Sequence, residues 1–403
     1  MTPDTQHLVL PFFDEVHRVL ATDLVDWAAT QQVDETDDRA ACREWVQRLG
    51  DAGWLRYCVP AEFGGALPRL DSRALVVLRE TLAFHSPLAD FAFAMQGLGS
   101  GAITLAGSPA QQAAYLPHVA SGKKIAAFAL SEANAGSDAG AMTTSGIQTS
   151  NGWVINGSKT WISNGGIADF YVTFVKTDKD AGTRGITPFM VDADTPGLDS
   201  SQHIAVMAPH PLATLEFKNC VVPAASQLGA LNNGFKLAMQ TLDIFRASVA
   251  AAALGMARRA LAEAVSYSKQ RSMFGGKLAD FQITQAKLGE MAALVDASAM
   301  LTYRAAWLRD EGERTGNKLR VTSEADNRRD VSVAASMAKM SATENAQRVI
   351  DMALQMHGGL GVKVGTKIES LYRDIRSLRI YEGATEVQQL IIGKALLQGR
   401  FKS

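Results

Sequence analysis

The residues best placed to move a proton lie in Tyr381-Glu382-Gly383-Ala384-Thr385-Glu386-Val387, just after the basic stretch Tyr372-Arg373-Asp374-Ile375-Arg376. A carboxylate next to glycine on an otherwise apolar segment is a candidate general base, because burial raises its pKa towards the working range. The alternative is a solvated surface glutamate. A second grouping, Trp161-Ile162-Ser163-Asn164-Gly165-Gly166, puts an aromatic plate and a hydroxyl two residues apart on a strand, and so on one face. A core tryptophan beside a solvated serine is its plainer reading. A third, Phe128 to Asp138, runs from an apolar strand into Ser131-Glu132-Ala133-Asn134-Ala135-Gly136-Ser137-Asp138. Such a loop offers short donors and backbone N–H groups to an anionic or heteroaromatic ligand, or is a turn.

Other chemistries fail on spacing. Between Gly152 and Thr160 the pattern approaches a phosphate-binding loop, but one extra residue separates Gly157 from Lys159. Gly359, Gly361 and Gly365 miss the dinucleotide fingerprint by one and follow a helix. The seven histidines contain no pair at metal-ligand spacing, and no nucleophile elbow surrounds any serine, so no metal is expected. Lys+Arg 40 against Asp+Glu 41 gives −1, which argues against a nucleic-acid partner. Cys42, Cys58 and Cys220 are too scattered for a disulfide framework. The first residues show neither a secretory nor a transit signature, and no apolar run approaches the ~20 residues of a membrane span. A cytoplasmic protein without a membrane partner is the expectation.

The elements that must carry these groups come in three textures. Residues 1–123 read as helical, with Val16, Leu20, Leu24 and Trp27 at helical spacing and a loop at Val59 to Gly65. Residues 124–228 read as short strands: Ile125 to Leu130, Trp153 to Ile155, Ala168 to Val175, Gly185 to Val191 and Thr214 to Phe217. Turns are expected at Asn151-Gly152, Asn156-Gly157 and Asn164-Gly165. Residues 229–403 return to helix, with apolar stripes through Leu288 to Leu308 and Val331 to Met356. The fold class is therefore α+β: a helical N-terminal domain, a central antiparallel β-barrel or sandwich and a C-terminal four-helix bundle.

Five segments in this order resemble the acyl-CoA dehydrogenase family: Ser131 to Asp138, Gly157 to Gly165, Arg271 to Gly275 with Phe281-Gln282, Gln355 to Gly359, and Ile380 to Gly383. The resemblance implies FAD bound at a subunit interface of a homotetramer, a dimer of dimers. It implies that Leu130, Ser131, Gly136 and Ser137 border the flavin, with Trp161, Ile162 and Ser163 against the isoalloxazine and its N5 edge. Arg271, Phe274, Phe281 and Gln282 match residues reaching the FAD of a neighbouring subunit. Gln355, Gly358 and Gly359 match the segment near its pyrophosphate, and Thr385 and Glu386 match flavin-contacting positions.

On the substrate side, Ser137, Asp243, Arg246 and Gly383 match positions touching an acyl-CoA, and Glu382 matches the catalytic base. Some members carry the base just before the arginine equivalent to Arg246, where this chain has Phe245. The implied reaction is α,β-dehydrogenation to the trans-2-enoyl-CoA, Glu382 taking the α-proton and flavin N5 the β-hydride, with an electron-transfer flavoprotein as acceptor. A carrier-protein thioester dehydrogenase, or a flavin monooxygenase or oxidase, is the alternative. Ala384 stands where the family usually has threonine, and Ser200 to Thr214 lacks the usual glycine-containing stretch, which points to an atypical substrate.

Overall fold

A computed structural model describes residues 1–314 and 324–399. Residues 315–323 and 400–403, which belong to the expected C-terminal bundle, lie outside the described residues. The N-terminal helices are α1 (Glu15–Thr30), α2 (Asp38–Asp51), α3 (Ser72–His85), α4 (Pro87–Ala106) and α5 (Pro109–Ala120). Strands β1 (Ala126–Ala129), β2 (Ser145–Thr149), β3 (Gly152–Ser163), β4 (Phe170–Lys176), β5 (Ile186–Asp192), β6 (Leu198–Ile204) and β7 (Leu212–Val222) follow. Then come α6 (Gly234–Gln270), a small hairpin of β8 (Ser272–Met273) and β9 (Gly276–Lys277), α7 (Gln282–Arg314), α8 (Glu324–His357), α9 (Lys367–Leu378) and α10 (Thr385–Leu397). The chain forms two compact units: 1–32, 71–90 and 243–403 in the first, 33–70 and 91–242 in the second.

The first unit is helical. Asp14 starts α1 with a capping box, and Leu20, Leu24 and Ala28, four residues apart, turn one face inward. That helix packs on α3, which packs on α7; α7 lies along α8, and α8 holds α9 and α10. The alanines from Ala250 to Ala253 in α6 are fully buried, and a Cβ on Gly255 would meet the Glu80 carbonyl oxygen at 2.1 Å. Only a stripe without side-chain bulk lets α6 come this near α3. Helix α6 is long and apolar enough to cross a membrane by composition, which the sequence reading missed, but 78% of its most apolar stretch is buried, as in a core helix.

The second unit is built on a seven-stranded sheet ordered β1-β4-β2-β3-β7-β6, with β5 on β4. Four ladders are antiparallel, and β1–β4 and β2–β4 are parallel. Every residue of β4 is buried, which explains its unbroken apolar run: a strand covered on both faces has no polar alternation. The sequence reading overlooked β2 and β6 because Ser145–Thr149 and Leu198–Ile204 are mostly polar and owe their extension to partners. Asn156-Gly157 is not a turn. It lies inside β3, where Gly157 at φ 138° makes a bulge and a Cβ would strike Thr144 Cα at 2.6 Å.

Candidate active site

In the first unit the Glu382 turn is short and tied at both ends. Helix α9 closes with Ile380 and Tyr381 N–H donating to the Ser377 carbonyl, and Thr385 N–H, opening α10, donates to the Arg379 carbonyl. The turn between them puts two consecutive residues in the left-handed region, Glu382 at φ 51° and Gly383 at φ 90°. For glutamate this costs about 1–2 kcal/mol. Strain held by a rigid frame is a pointer to function.

The frame is visible. Lys339 of α8, fully buried, donates from Nζ to the Gly383 carbonyl at 2.7 Å, and Gln388 of α10 donates to the same oxygen at 3.0 Å. Glu344, one and a half turns further along α8, accepts from Thr385 Oγ1 at 2.6 Å and Arg379 Nε at 2.8 Å. The Thr385 hydroxyl is thus spent on Glu344. Behind the turn, Arg79 (1% exposed) grips Asp90 through two hydrogen bonds of 2.8 and 2.9 Å and donates a third to Ser248 Oγ at 3.1 Å. Asp243 and Arg246 pair with each other on α6, and Ser332 Oγ also donates to Asp243.

Glu382 Oε2 is shielded from solvent and has no hydrogen-bond partner among the described residues. Burial pushes its carboxyl above the ordinary 4.5, opposed by the cations Arg79, Lys339 and Arg246 and reinforced by Asp90. Among the described residues, no acceptor takes the Glu382 backbone N–H either. An unpartnered carboxylate oxygen and an unspent N–H on one strained residue are groups available to a ligand. Phe245, 1% exposed, offers no competing base.

The same unit carries a cleft of about 480 Å³ lined by Tyr267, Arg271, Gln355, His357, Gly358 and Gly359, among others. His357 stacks on Tyr267 with centroids 4.4 Å apart. No carboxylate pairs with Arg271 among the described residues, and a Cβ on Gly358 or Gly359 would meet nothing within 4 Å. A free guanidinium beside open backbone suits a phosphate dianion. Phe274 and Gly275, both at positive φ, form the two-residue turn of the β8–β9 hairpin, and Phe274 stands 89% exposed, edge-on to Phe281 at 6.3 Å. Gln282, Gln355 and Glu386 are exposed.

In the second unit, Leu130, Ser131, Gly136 and Ser137 form the loop after β1, and Trp161, Ile162 and Ser163 end β3. Thr160 N–H donates to the Ser131 carbonyl at 3.0 Å, joining the two segments. Below them Lys159, fully buried, donates to the Leu130 carbonyl at 3.0 Å and to Glu132 at 2.9 Å. Glu132 further accepts from Thr143 and Thr144. Burial alone would raise the Glu132 carboxyl, but Lys159 and these donors pull it down to about 2, while burial lowers Lys159 to about 8.

The strand alternation invoked for Trp161 and Ser163 needs correction. A bulge between Lys159 and Ile162 puts Trp161 at φ 60°, so its indole is 58% exposed for a reason other than simple period-two alternation, while Ile162 is buried. An exposed indole beside a hydroxyl and a glycine loop with open space at Gly136 are groups that could cover a planar ring.

The class follows from the fold and these motifs: the chain belongs to the acyl-CoA dehydrogenase family, with profiles for its N-terminal, middle and C-terminal domains matching residues 11–123, 127–220 and 232–397. It is a flavin oxidoreductase, and FAD is the cofactor of this family. Among individual relatives, the chain is 38% identical to a 3-(aryl)acrylate reductase of Clostridium sporogenes over 96% of this chain and all of that one. It is 35% identical to caffeyl-CoA reductase-Etf complex subunit CarC of Acetobacterium woodii, covering 94% and 97% of the two. A structure of an acyl-CoA dehydrogenase complexed with FAD from Bacillus anthracis superposes with TM-score 0.86 at 29% identity, over 96% of this chain and 67% of that one.

Sequence reasoning assigned no role to Arg79, Asp90, Lys159 or Lys339. The signal was a charge inside an apolar run: Arg79 follows Leu75-Val76-Val77-Leu78, and Lys339 shares the stripe of Ala335, Ala338 and Ala342. Gly383 gives a local prediction. In Gly383→Ala the new Cβ lands 2.3 Å from Gln388 Nε2 at a φ that side chains resist, so steady-state kinetics should show kcat reduced by about tenfold or more. An unchanged kcat would mean the turn geometry is irrelevant to catalysis.

Proposed function

We propose that this protein catalyses α,β-dehydrogenation of an acyl-CoA thioester to the trans-2-enoyl-CoA, with Glu382 as the base that removes the α-proton. The observation that carries the reading is the shielded, unpartnered Glu382 Oε2 on a strained turn surrounded by Arg79, Lys339 and Arg246. FAD, when bound, supplies the acceptor for the hydride leaving Cβ. The chain's own part is to take the Cα proton on the Glu382 carboxylate and to offer the Glu382 N–H to the thioester oxygen, where negative charge develops. One preorganised donor of this kind contributes about 3–4 kcal/mol to the barrier reduction. In the first unit the pair Asp243–Arg246 and Gly383 are proposed acyl-CoA contacts; Ser137 is proposed as one by its match to the family's motif. Arg271, Phe274, Phe281, Gln282, Gln355, Gly358 and Gly359 are proposed to hold FAD with Leu130, Ser131, Gly136, Ser137, Trp161, Ile162, Ser163, Thr385 and Glu386.

An electron-transfer flavoprotein is the proposed redox partner, supported by the relative named as part of an Etf complex. A cytoplasmic homotetramer is proposed too, the location supported by Cys42, Cys58 and Cys220 being buried and outside any disulfide, the assembly by exposed apolar side chains such as Phe274 and Ile283. A second reading, favoured by the relatives named reductases, runs the same step backwards, with Glu382 delivering the proton to Cα.

The test is anaerobic addition of acyl-CoA thioesters and their carrier-protein counterparts to the flavin-loaded protein. Loss of the flavin's visible absorbance with CoA esters is the expected result. Response only to carrier-bound acyl groups, or rapid reoxidation by air, would replace the proposal with one of the alternatives. The pH profile adds a signed expectation. A protonated carboxyl cannot accept the α-proton, and burial holds the Glu382 pKa above 4.5, so kcat/KM should rise as pH climbs through that elevated value. A flat profile from pH ~5 upward would count against Glu382 as the base.

A further inference from the structure

Lys339 has no place in the reaction as set out above, yet it is a fully buried ammonium beside the turn that carries it. It donates a hydrogen bond to a backbone carbonyl, that of Gly383, and this oxygen is shared with the Gln388 amide. A buried cation of this kind is expensive unless something nearby gains from its charge. We propose that Lys339 is a positioning residue for Glu382: with Gln388 it clamps the Gly383 carbonyl, holding the left-handed Glu382–Gly383 turn in place while its ammonium favours the ionised carboxylate. The proposal rests on Glu382 being the base.

The geometry leaves little freedom. With Gly383 O fixed by two donors, the peptide following Gly383 is pinned, and with Thr385 fixed through Glu344 the chain leaving the Glu382–Gly383 turn is held on that side, next to a glutamate at positive φ. The charges facing Glu382 come from four helices: Arg79 on α3, Asp90 at the start of α4, Arg246 on α6 and Lys339 on α8. Arg79 is spent on Asp90, and Arg246 on Asp243. Arg79, Lys339 and Arg246 all favour ionised Glu382, and Lys339 is the one of the three without a carboxylate partner in an ion pair among the described residues. Lys339 is in turn faced by Glu382, Arg246, Glu344 and Glu386, and burial lowers it to about 8.

The experiment compares flavin-loaded wild type, Lys339→Met, Lys339→Arg and Glu382→Gln by kcat, KM and the pH dependence of kcat/KM. For Lys339→Met the expected result is kcat reduced by about 10²-fold with KM changed less than about threefold, and the acid limb moved up by about one pH unit. Lys339→Arg, which keeps charge and donor, should return the limb to within a few tenths of wild type. A purely structural lysine would lower melting temperature without moving the limb, and that outcome overturns the proposal. So does a Lys339→Met enzyme with wild-type kcat and limb. Should Lys339→Met fail to fold, Lys339→Gln, which keeps a neutral donor, is held to the same criterion on the limb. Activity retained in Glu382→Gln would instead remove the base assignment itself, so the two failures are distinguishable.

Discussion

Glu382→Gln should lower thioester-dependent flavin reduction by about 10³-fold, the middle of the range for a lost general base. The amide keeps the shape of the carboxyl, so the turn at φ 51° and its clamp through Gly383 persist, and only the proton acceptor is lost. Stability should move the other way. Burial raises the Glu382 pKa, so the folded state binds a proton more readily than the unfolded chain, and wild-type stability falls as pH rises from 4.5 through the elevated folded value. The variant lacks that loss, and its melting temperature at neutral pH should equal or exceed that of wild type. Turnover within about threefold of wild type would sink the assignment, because no second acid or base stands at the position taken by Phe245.

The second large effect concerns Arg79. Its side chain and that of Asp90 are 2% and 3% exposed, and the pair is bidentate. Arg79→Met leaves the Asp90 carboxylate in a site where burial already raises its pKa, and the expected loss is about 3–5 kcal/mol, read as a large drop in melting temperature. Asp90→Leu added to Arg79→Met should recover much of it, because two apolar residues replace an ion pair that must otherwise be desolvated. A single variant as stable as wild type would show that the pair is not what holds α3 to the start of α4. Removing Arg79 also withdraws a cation from Glu382, so any surviving activity should show an acid limb displaced upward.

The two effects differ in how far they could be foreseen. Glu382 was legible because its neighbours in the chain, Tyr381 and Gly383, form a recognisable local pattern, and the same holds for Ser131 to Asp138 and for Gly358-Gly359. The stripes of α7 and α8 and the apolar run of β4 were legible for a related reason: burial of one face imposes a period on adjacent residues, and burial of both faces removes it. Strands β2 and β6 left no such mark, since ladder bonds to β3 and β7 need no particular side chain. The bulge at Trp161 depends on the register of β3 against β7, which no short segment encodes.

What the residue order determined by itself was the class of chemistry and the three textures of the chain, because both are written in residues a few places apart. Only the tertiary structure decided which charges meet. Lys339 finds Gly383 44 positions on, Lys159 finds Leu130 29 positions back, and Arg79 finds Ser248 169 positions away. A buried ion must have a partner, but electrostatics constrains only the distance between the two in space and is silent about their separation along the chain.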